Sequence, residues 1–216
     1  MLPEVSVYWS AERYWSLSAV LSLASTAATS MCSSATAELY SRARRLPGMA
    51  DEPLYCVVEI PKGSSNKYEW DEELGGIKLD RLLFSSLSYP TDYGFFRETL
   101  AGDGDPLDAM VAVSEPTFPG CVIEVKPIAL FRMRDEKAED NKILCVPQTD
   151  PNWSHVERLE DLPMTLRDEI SHFFSIYKTP EWKVVKVDGW YPREEAIESI
   201  DRARKRWDEK NGDGRS

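Results

Sequence analysis

The stretch Cys121–Met133, C-V-I-E-V-K-P-I-A-L-F-R-M, is the longest of several strand-like runs in the sequence. Apolar and β-branched residues dominate it, and Pro119-Gly120 directly before it marks a turn. Shorter runs of the same kind lie at Leu54–Ile60, Asn66–Trp70, Ile77–Leu79, Leu82–Leu87, Ala109–Val113, Lys142–Val146 and Trp182–Val187. Further turns are predicted at Pro61-Lys62-Gly63, Gly75-Gly76 and Asp188-Gly189. Many short strands with tight turns predict a mainly β fold, an α+β protein built on a small closed or partly closed antiparallel barrel.

Two helices are predicted to flank this barrel, both near the C-terminal end. Pro163 fits the first turn of one helix. Its apolar face consists of Leu166, Ile170, Phe173 and Tyr177. The other helix begins near Pro192, and its apolar face consists of Ala196, Ile200, Ala203 and Trp207. Acidic residues at its start and basic residues near its end agree with the helix dipole.

Charge and composition exclude several classes of function. The 216 residues contain 26 Lys and Arg against 37 Asp and Glu, a formal net charge of −11. Nucleic acids are bound chiefly by basic side chains, so we expect no nucleic-acid partner. No uncharged apolar run reaches the roughly 18 residues that cross a bilayer, so we expect no membrane partner. An acidic excess favours cations instead.

Metal-ligand chemistry narrows the choice of cation. The only soft or nitrogen ligands are four scattered cysteines and two histidines, Cys32, Cys56, Cys121, Cys145, His155 and His172. Their spacing argues against a zinc cluster, and sparse cysteine favours a reducing compartment, so we expect a cytoplasmic location. Carboxylate oxygens are in surplus, which indicates Mg, Mn or Ca.

The composition changes sharply near Met49. Residues 1–48 are rich in Ser and Ala and carry 4 Arg and 3 Glu, whereas the remaining 168 residues carry 22 basic and 34 acidic groups. We therefore predict a poorly ordered leader at 1–48 and one domain at 49–216. An organelle transit peptide, a signal peptide centred on Leu17–Ala28, or a true translation start at Met49 would each explain this leader, and we favour the last.

The segment Asp103-Gly-Asp-Pro-Leu-Asp108 places three carboxylates within six residues. Such crowding is costly unless cations neutralise it, although a solvated acidic turn is an alternative for this segment alone. A calcium loop of the EF-hand type fails on spacing, because Leu107 and Ser114 occupy ligand positions. A phosphatase of the haloacid-dehalogenase type would need a preceding buried strand, and Thr99–Gly102 is a poor one.

Acidic and basic residues alternate on nearby strands. Lys67 and Glu69 are two residues apart and share a strand face, as do Asp140 and Lys142. Ordinary cross-strand pairing would also produce this pattern. Glu59, Arg81 and Asp135 each lie at or just after the end of a predicted strand, where side chains from several strands can meet.

These motifs resemble, in order, those of the family I soluble inorganic pyrophosphatases, most of all the bacterial and particularly actinobacterial members. They are Val58-Glu59-Ile60-Pro61, Lys67-Tyr68-Glu69, Asp80-Arg81, Tyr89-Pro-Thr-Asp-Tyr93-Gly94, Asp103-Gly-Asp-Pro-Leu-Asp108, Asp135 with Asp140 and Lys142, His172-Phe-Phe, and Tyr177-Lys178. The similarity extends from Leu54 to Arg206.

The resemblance implies an OB-type barrel that hydrolyses inorganic diphosphate to two phosphates with several Mg²⁺ ions, for which Mn²⁺ or Zn²⁺ are possible substitutes. It implies metal ligands at Glu59, Asp103, Asp108, Asp135 and Asp140, phosphate ligands at Lys67, Arg81, Tyr93, Lys142, Tyr177 and Lys178, and a supporting role for Glu69. We expect Asp105 to be the general base, with Asp140 as the rival. Bacterial members imply a homohexamer. An organic-diphosphate hydrolase and a non-catalytic OB-like module that holds Ca²⁺ remain the alternatives.

Overall fold

The computed structural model describes residues 53–83, 86–134, 139–179, 182 and 185–212. The predicted leader, with its three interpretations, lies outside the described residues, and so does the candidate ligand Asp135. In the part of the chain that the structure describes, no helix has an apolar stretch long enough to span a membrane.

The described elements are eight strands, two α-helices and one short 3-10 turn. The strands are β1 (Leu54–Ile60), β2 (Asn66–Asp71), β3 (Gly76–Leu82), β4 (Asp92–Phe96), β5 (Asp108–Val111), β6 (Val122–Arg134), β7 (Lys142–Pro147) and β8 (Lys186–Tyr191). The 3-10 turn is Leu159–Asp161, and the helices are α1 (Met164–Ile176) and α2 (Arg193–Gly212).

Five strands form a closed barrel, as the sequence predicts. The order is β1-β4-β5-β7-β6, and β6 pairs back with β1, while β8 extends the sheet beyond β6. Counted along the chain, the barrel strands run first, second, third, fifth, fourth and back to first, which is the OB order. Only the β5–β7 pair is parallel among the described pairings. The long strand β6 supplies the crossover that a parallel pair requires.

Two apolar clusters lie on opposite faces of the barrel strands. Successive residues of β7 alternate between them, with Leu144 and Val146 in one and Ile143 and Cys145 in the other. The first cluster includes the apolar face of α1, and the second includes that of α2. Both predicted helices are therefore confirmed, and each is held by burial of its apolar face.

Three strand predictions need correction. Strand β3 contains the predicted run Ile77–Leu79 but ends at Leu82, so only the first residue of the predicted run Leu82–Leu87 belongs to it, and residues 84 and 85 of that run lie outside the described residues. Strand β4 was not predicted. The strand predicted at Trp182–Val187 begins at Lys186 and continues through the predicted turn Asp188-Gly189. Gly189 has a φ of 112°, and the pairing register with β6 shifts beside it, so this glycine belongs to a β-bulge.

Strands β2 and β3 form a separate two-stranded sheet, here called the hairpin. Lys67 and Arg81 are direct neighbours across it, so their side chains share a face. The hairpin is joined to the barrel by hydrogen bonds at its base, where the Gly63 N–H donates to the Tyr89 carbonyl at 2.8 Å. This arrangement holds two predicted phosphate ligands on one small, distinct element.

Candidate active site

The acidic segment lies in the connection between β4 and β5, here called the acidic loop (residues 97–107). Its base is closed by a 2.9 Å hydrogen bond from the Phe96 N–H to the Leu107 carbonyl. Thr99, 1% exposed, joins the same two residues, since its hydroxyl donates to the Phe96 carbonyl at 2.6 Å and accepts from the Leu107 N–H at 2.9 Å. Within the loop, the Asp105 N–H donates to the Asp103 carboxylate at 3.2 Å. The loop therefore has a defined geometry.

A buried ammonium group lies where the acidic loop enters β5. Lys142 is 1% exposed, and its Nζ is 2.7 Å from Asp108 Oδ2 and 2.6 Å from Asp140 Oδ1. It also donates to the Tyr93 hydroxyl at 2.9 Å, and that hydroxyl donates to Asp108 Oδ2 at 2.5 Å. Parallel pairing of β5 with β7 makes Asp108 and Lys142 neighbours. Two carboxylates thus share one cation, which compensates their removal from water.

The protonation states in this cluster are set by burial and by neighbouring charges. Burial opposes the charged form of Lys142, but Asp108 and Asp140 raise its pKa well above the ordinary value, so the ammonium remains charged. Burial and then Asp140 raise the pKa of Asp108, although Lys142 and Tyr93 act in the opposite direction. Partial burial, together with Asp105 and Asp140, raises the pKa of Asp103. The carboxylate of Asp140 therefore lies within electrostatic reach of both Asp103 and Asp108.

Glu59 connects the barrel to the hairpin. Its Oε1 accepts a hydrogen bond from the Trp70 N–H at 2.7 Å. Burial raises the pKa of Glu59 to about 7, with the Trp70 hydrogen bond acting against the shift. Asp108 and Lys67 also influence this carboxyl, so it lies between the central cluster and the cations of the hairpin.

The cations of the hairpin are held by carboxylates of the same hairpin. Lys67 is paired with Glu69, as its strand spacing suggested, and also lies 3.2 Å from Asp80. Arg81 contacts Asp80 as well. Asp80 contacts both Lys67 and Arg81. It was not predicted as a site residue, although the Asp80-Arg81 motif contains it. Lys67 pairs with Arg81 and Tyr68 pairs with Leu79, so Asp80 is the extra, unpaired residue of a β-bulge in β3.

The C-terminal end of α1 supplies the last predicted residues. Tyr177 caps the helix, is 7% exposed and stacks on Phe173 with ring centroids 5.4 Å apart. Burial raises its pKa, so the hydroxyl stays protonated. Lys178 Nζ lies 3.7 Å from Asp140 Oδ2. Tyr89 packs its ring between Tyr93 and Phe173, with centroids 5.4 and 4.8 Å away.

The predicted residues divide into three groups. Direct contacts connect Tyr93, Asp108, Asp140, Lys142 and Lys178. Lys67, Glu69 and Arg81 lie together on the hairpin, and Asp103 and Asp105 lie on the acidic loop, where the Asp105 side chain is exposed. Asp135 lies outside the described residues.

The donor chemistry of the site fits a hard divalent cation, because every candidate ligand offers carboxylate oxygens. Burial is the largest cause of the raised pKa values of Asp103 and Asp108, and the neighbouring carboxylate of Asp140 adds to both; a bound cation relieves both effects. Among residues 53–83, 86–134, 139–179, 182 and 185–212, no three acidic, His or Cys side chains converge closely enough to hold one ion together. Asp108 and Asp140 are directed instead at the Lys142 ammonium.

An OB barrel that gathers carboxylates, ammonium groups and phenols at one position has the donor set of an enzyme that acts on a metal-bound phosphate polyanion. Comparison with known families makes this class specific. The family model Pyrophosphatase, described as inorganic pyrophosphatase, matches residues 56–208. The chain belongs to this inorganic pyrophosphatase family.

Individual relatives agree with the family model. An inorganic pyrophosphatase of Methanosarcina acetivorans is 57% identical over 155 residues, which cover 72% of this chain and 92% of that protein. One of Streptomyces coelicolor is 52% identical over 156 residues, covering 72% of this chain and 96% of that protein. The crystal structure of the inorganic pyrophosphatase from Thermus thermophilus superposes with a TM-score of 0.70 at 43% identity, covering 75% of this chain and 96% of that one.

Proposed function

We propose that this protein hydrolyses inorganic diphosphate to two phosphates in a Mg²⁺-dependent reaction. The observation that carries the proposal is the buried Lys142 ammonium between Asp108 and Asp140, 2.7 and 2.6 Å away, in a chain of this family. A charged lysine is costly to bury, and strongly perturbed ionisable groups of this kind are concentrated at functional sites.

Asp103, Asp108, Asp135 and Asp140 hold the metal ions, and Glu59 acts beside them. Their oxygen-only chemistry suits Mg²⁺, and Mn²⁺ or Zn²⁺ are possible substitutes. A bound divalent ion supplies charge neutralisation of the phosphates and a coordinated water of lowered pKa. Support comes from the electrostatic coupling of Asp140 to both Asp103 and Asp108.

Phosphoryl oxygens are bound by Lys67, Arg81, Tyr93, Lys142, Tyr177 and Lys178, with Glu69 orienting Lys67. The Arg81 guanidinium can grip a phosphate through two parallel hydrogen bonds. The phenols donate hydrogen bonds without adding charge. Support comes from the burial of Tyr93 and Tyr177 beside Lys142, which keeps both hydroxyls protonated as donors.

Asp105 is the general base that removes a proton from the attacking water. Its rival, Asp140, is engaged by the ammonium groups of Lys142 at 2.6 Å and Lys178 at 3.7 Å, so both of its carboxylate oxygens already have cationic partners. The Asp105 carboxylate is exposed, and its backbone is fixed because its carbonyl accepts from the Ala101 N–H at 2.7 Å. An exposed, held carboxylate is able to accept a proton from water.

The decisive experiment measures phosphate release from diphosphate by the full-length chain, with Mg²⁺ and with a chelator. ATP is the parallel substrate. Rapid release from diphosphate alone, abolished by the chelator, is the expected result. A folded protein that releases no phosphate from diphosphate, or that prefers ATP, would contradict the proposal. The same assay on the chain beginning at Met49 tests whether residues 1–48 are dispensable.

Three variants test the residue roles. Asp105→Asn is isosteric and should lower kcat by about 10²–10⁴-fold with little change in melting temperature, as expected for loss of a general base. Asp140→Asn is the comparison, and near-normal kcat in Asp105→Asn would transfer the role to Asp140. Arg81→Ala should lower kcat/KM, and an unchanged value would remove Arg81 from the phosphate ligands.

We further propose a cytoplasmic homohexamer. Cys56, Cys121 and Cys145 are free thiols, which suits a reducing compartment. Phe118 and Val122 are 65% and 47% exposed near the start of β6, and apolar surface of this kind is typical of subunit contacts. Light scattering after size-exclusion chromatography tests the assembly, and a monomeric mass would contradict it.

A further inference from the structure

Helix α2 forms hydrogen bonds with both backbone polar groups of Leu100, a residue of the acidic loop. The Leu100 N–H donates to the Ala203 carbonyl at 2.9 Å. The Leu100 carbonyl in turn accepts from Arg206 Nε at 2.7 Å, across 106 positions of sequence. Both backbone polar groups of Leu100 are therefore satisfied by the same helix, and neither is satisfied by the loop itself.

Further hydrogen bonds connect Leu100 to the acidic residues Asp105 and Asp103 of the same loop. The residue after Leu100 is Ala101, whose N–H donates to the Asp105 carbonyl at 2.7 Å. The Asp105 N–H then donates to the Asp103 carboxylate at 3.2 Å. Helix α2 is thus connected to both acidic residues, by hydrogen bonds to Leu100, by the peptide bond from Leu100 to Ala101, and by the hydrogen bonds from Ala101 to Asp105 and from Asp105 to Asp103.

The helix itself is firmly fixed. Ala196, Ser199, Ile200 and Ala203 are buried against the barrel, and Ala203 is 0% exposed. Arg206 is only partly buried and is not one of these four residues, and its Nε donates to the Leu100 carbonyl. Its side chain therefore extends from a buried helix to a loop that is also anchored by Thr99 and by the hydrogen bond from the Leu100 N–H to the Ala203 carbonyl, and such support of a loop-borne site limits its conformational freedom.

We propose that Arg206 is a positioning residue that holds the acidic loop in the geometry that binds metal. This inference rests on the proposed roles of Asp103 and Asp105. Without the Arg206 hydrogen bond, the apo loop populates additional conformations, and metal binding must then select the productive one. The apparent metal affinity falls by the fraction of loop that is out of position.

The first measurement is the Mg²⁺ dependence of diphosphate hydrolysis by full-length Arg206→Ala. Half-saturating Mg²⁺ should rise by about two- to tenfold, the equivalent of one lost hydrogen bond, while kcat at saturating Mg²⁺ returns close to that of the unmodified protein. Arg206→Lys retains a donor and should restore most of the affinity. Arg202→Ala is the matched control, because Arg202 lies one helical turn earlier and pairs with Glu198 on the exposed face.

The second measurement is hydrogen exchange in metal-free protein, followed on peptides that cover residues 97–107. Arg206→Ala should accelerate exchange there, and Arg202→Ala should not. Faster exchange together with weaker Mg²⁺ activation, rescued by lysine, supports the inference. Unchanged exchange and unchanged Mg²⁺ dependence would overturn it, and so would equal effects of the two alanine variants.

Asp103→Asn separates this inference from the proposed function on which it rests. If Asp103→Asn weakens Mg²⁺ activation while Arg206→Ala only accelerates exchange, the positioning role is overturned and the metal role of the loop stands. If Asp103→Asn also leaves the Mg²⁺ dependence unchanged, the metal role of the loop fails, and the inference about Arg206 fails with it.

Discussion

Replacing Lys142 with methionine removes the cation at the centre of the site with little change in side-chain volume. Asp108 and Asp140, whose oxygens lie 2.7 and 2.6 Å from Nζ, then lose the cation that they share, and the Lys178 ammonium, 3.7 Å from Asp140, compensates them only in part. Lys142 is 1% exposed, whereas the two carboxylates are 27% and 11% exposed. The variant should therefore be substantially less stable than the unmodified protein in the absence of divalent ions.

The size of this loss follows from the burial of the pair. Removing one partner of a buried ion pair costs about 3–5 kcal/mol, and the partial exposure of Asp108 favours the lower end, near 3 kcal/mol. For a domain of this size, that corresponds to a decrease in melting temperature of about 6–12 °C. Mg²⁺ should reduce the deficit, because an ion that binds only the folded carboxylates stabilises the native state.

Thermal and urea denaturation in EDTA, and again with Mg²⁺, measure both effects. Lys186→Met is the matched control, because that lysine is 77% exposed and lies 3.7 Å from Asp188. An exposed pair of this kind contributes about 0–1 kcal/mol, so the control should melt close to the unmodified protein. If Lys142→Met in EDTA were as stable as Lys186→Met, Asp108 and Asp140 would not depend on the buried ammonium, and the electrostatic argument would be wrong.

Two further predictions concern the barrel. Gly94→Ala would place a Cβ 1.9 Å from the Val57 carbonyl oxygen, so circular dichroism should show that the variant has lost most of its folded population. In the control Gly102→Ala, the nearest atom to the new Cβ is 3.9 Å away, so this variant should fold normally. A well-folded Gly94→Ala would contradict the close pairing of β1 and β4. Cys56 and Cys145 are buried, and burial raises both thiol pKa values, so neither should react with a thiol reagent until the protein is denatured; rapid labelling of either in the native state would show that the barrel opens.

Local pattern was sufficient to predict most of the fold. Strands β1, β6 and β7 are long apolar or alternating runs, and α1 and α2 have apolar faces at helical spacing, so their own residues specify them. Strand β4 was missed because its residues are determined by contacts with distant parts of the chain and not by a local pattern. Asp92 is fully buried and accepts from the Lys62 N–H at 2.8 Å and the Thr117 hydroxyl at 2.6 Å, while Gly94 is required by the approach of β1. Asp and Gly then read as turn residues.

The candidate site divides in the same way. Residues two apart on a strand, such as Lys67 and Glu69, could be assigned to one face, and the structure pairs them. The approach of Lys142 to Asp108 arises from parallel pairing, which no local spacing encodes. The contact of Arg206 with Leu100 joins residues 106 positions apart and had no sequence signal. Long-range geometry was thus the part that required the structure.

The parallel β5–β7 pairing also has a consequence for biogenesis. Asp108 and Lys142 are 34 positions apart, and the strand that carries Lys142 pairs correctly only after all of β6 has crossed the barrel. Contacts of such long range form slowly, since the entropy of closing the intervening chain is lost before any bond is gained. During synthesis, a ribosome-bound chain that ends before β7 therefore contains Asp108 and Asp140 without the ammonium group that they share. Such an intermediate exposes uncompensated carboxylates, and completion of the barrel and neutralisation of the site occur in the same folding step.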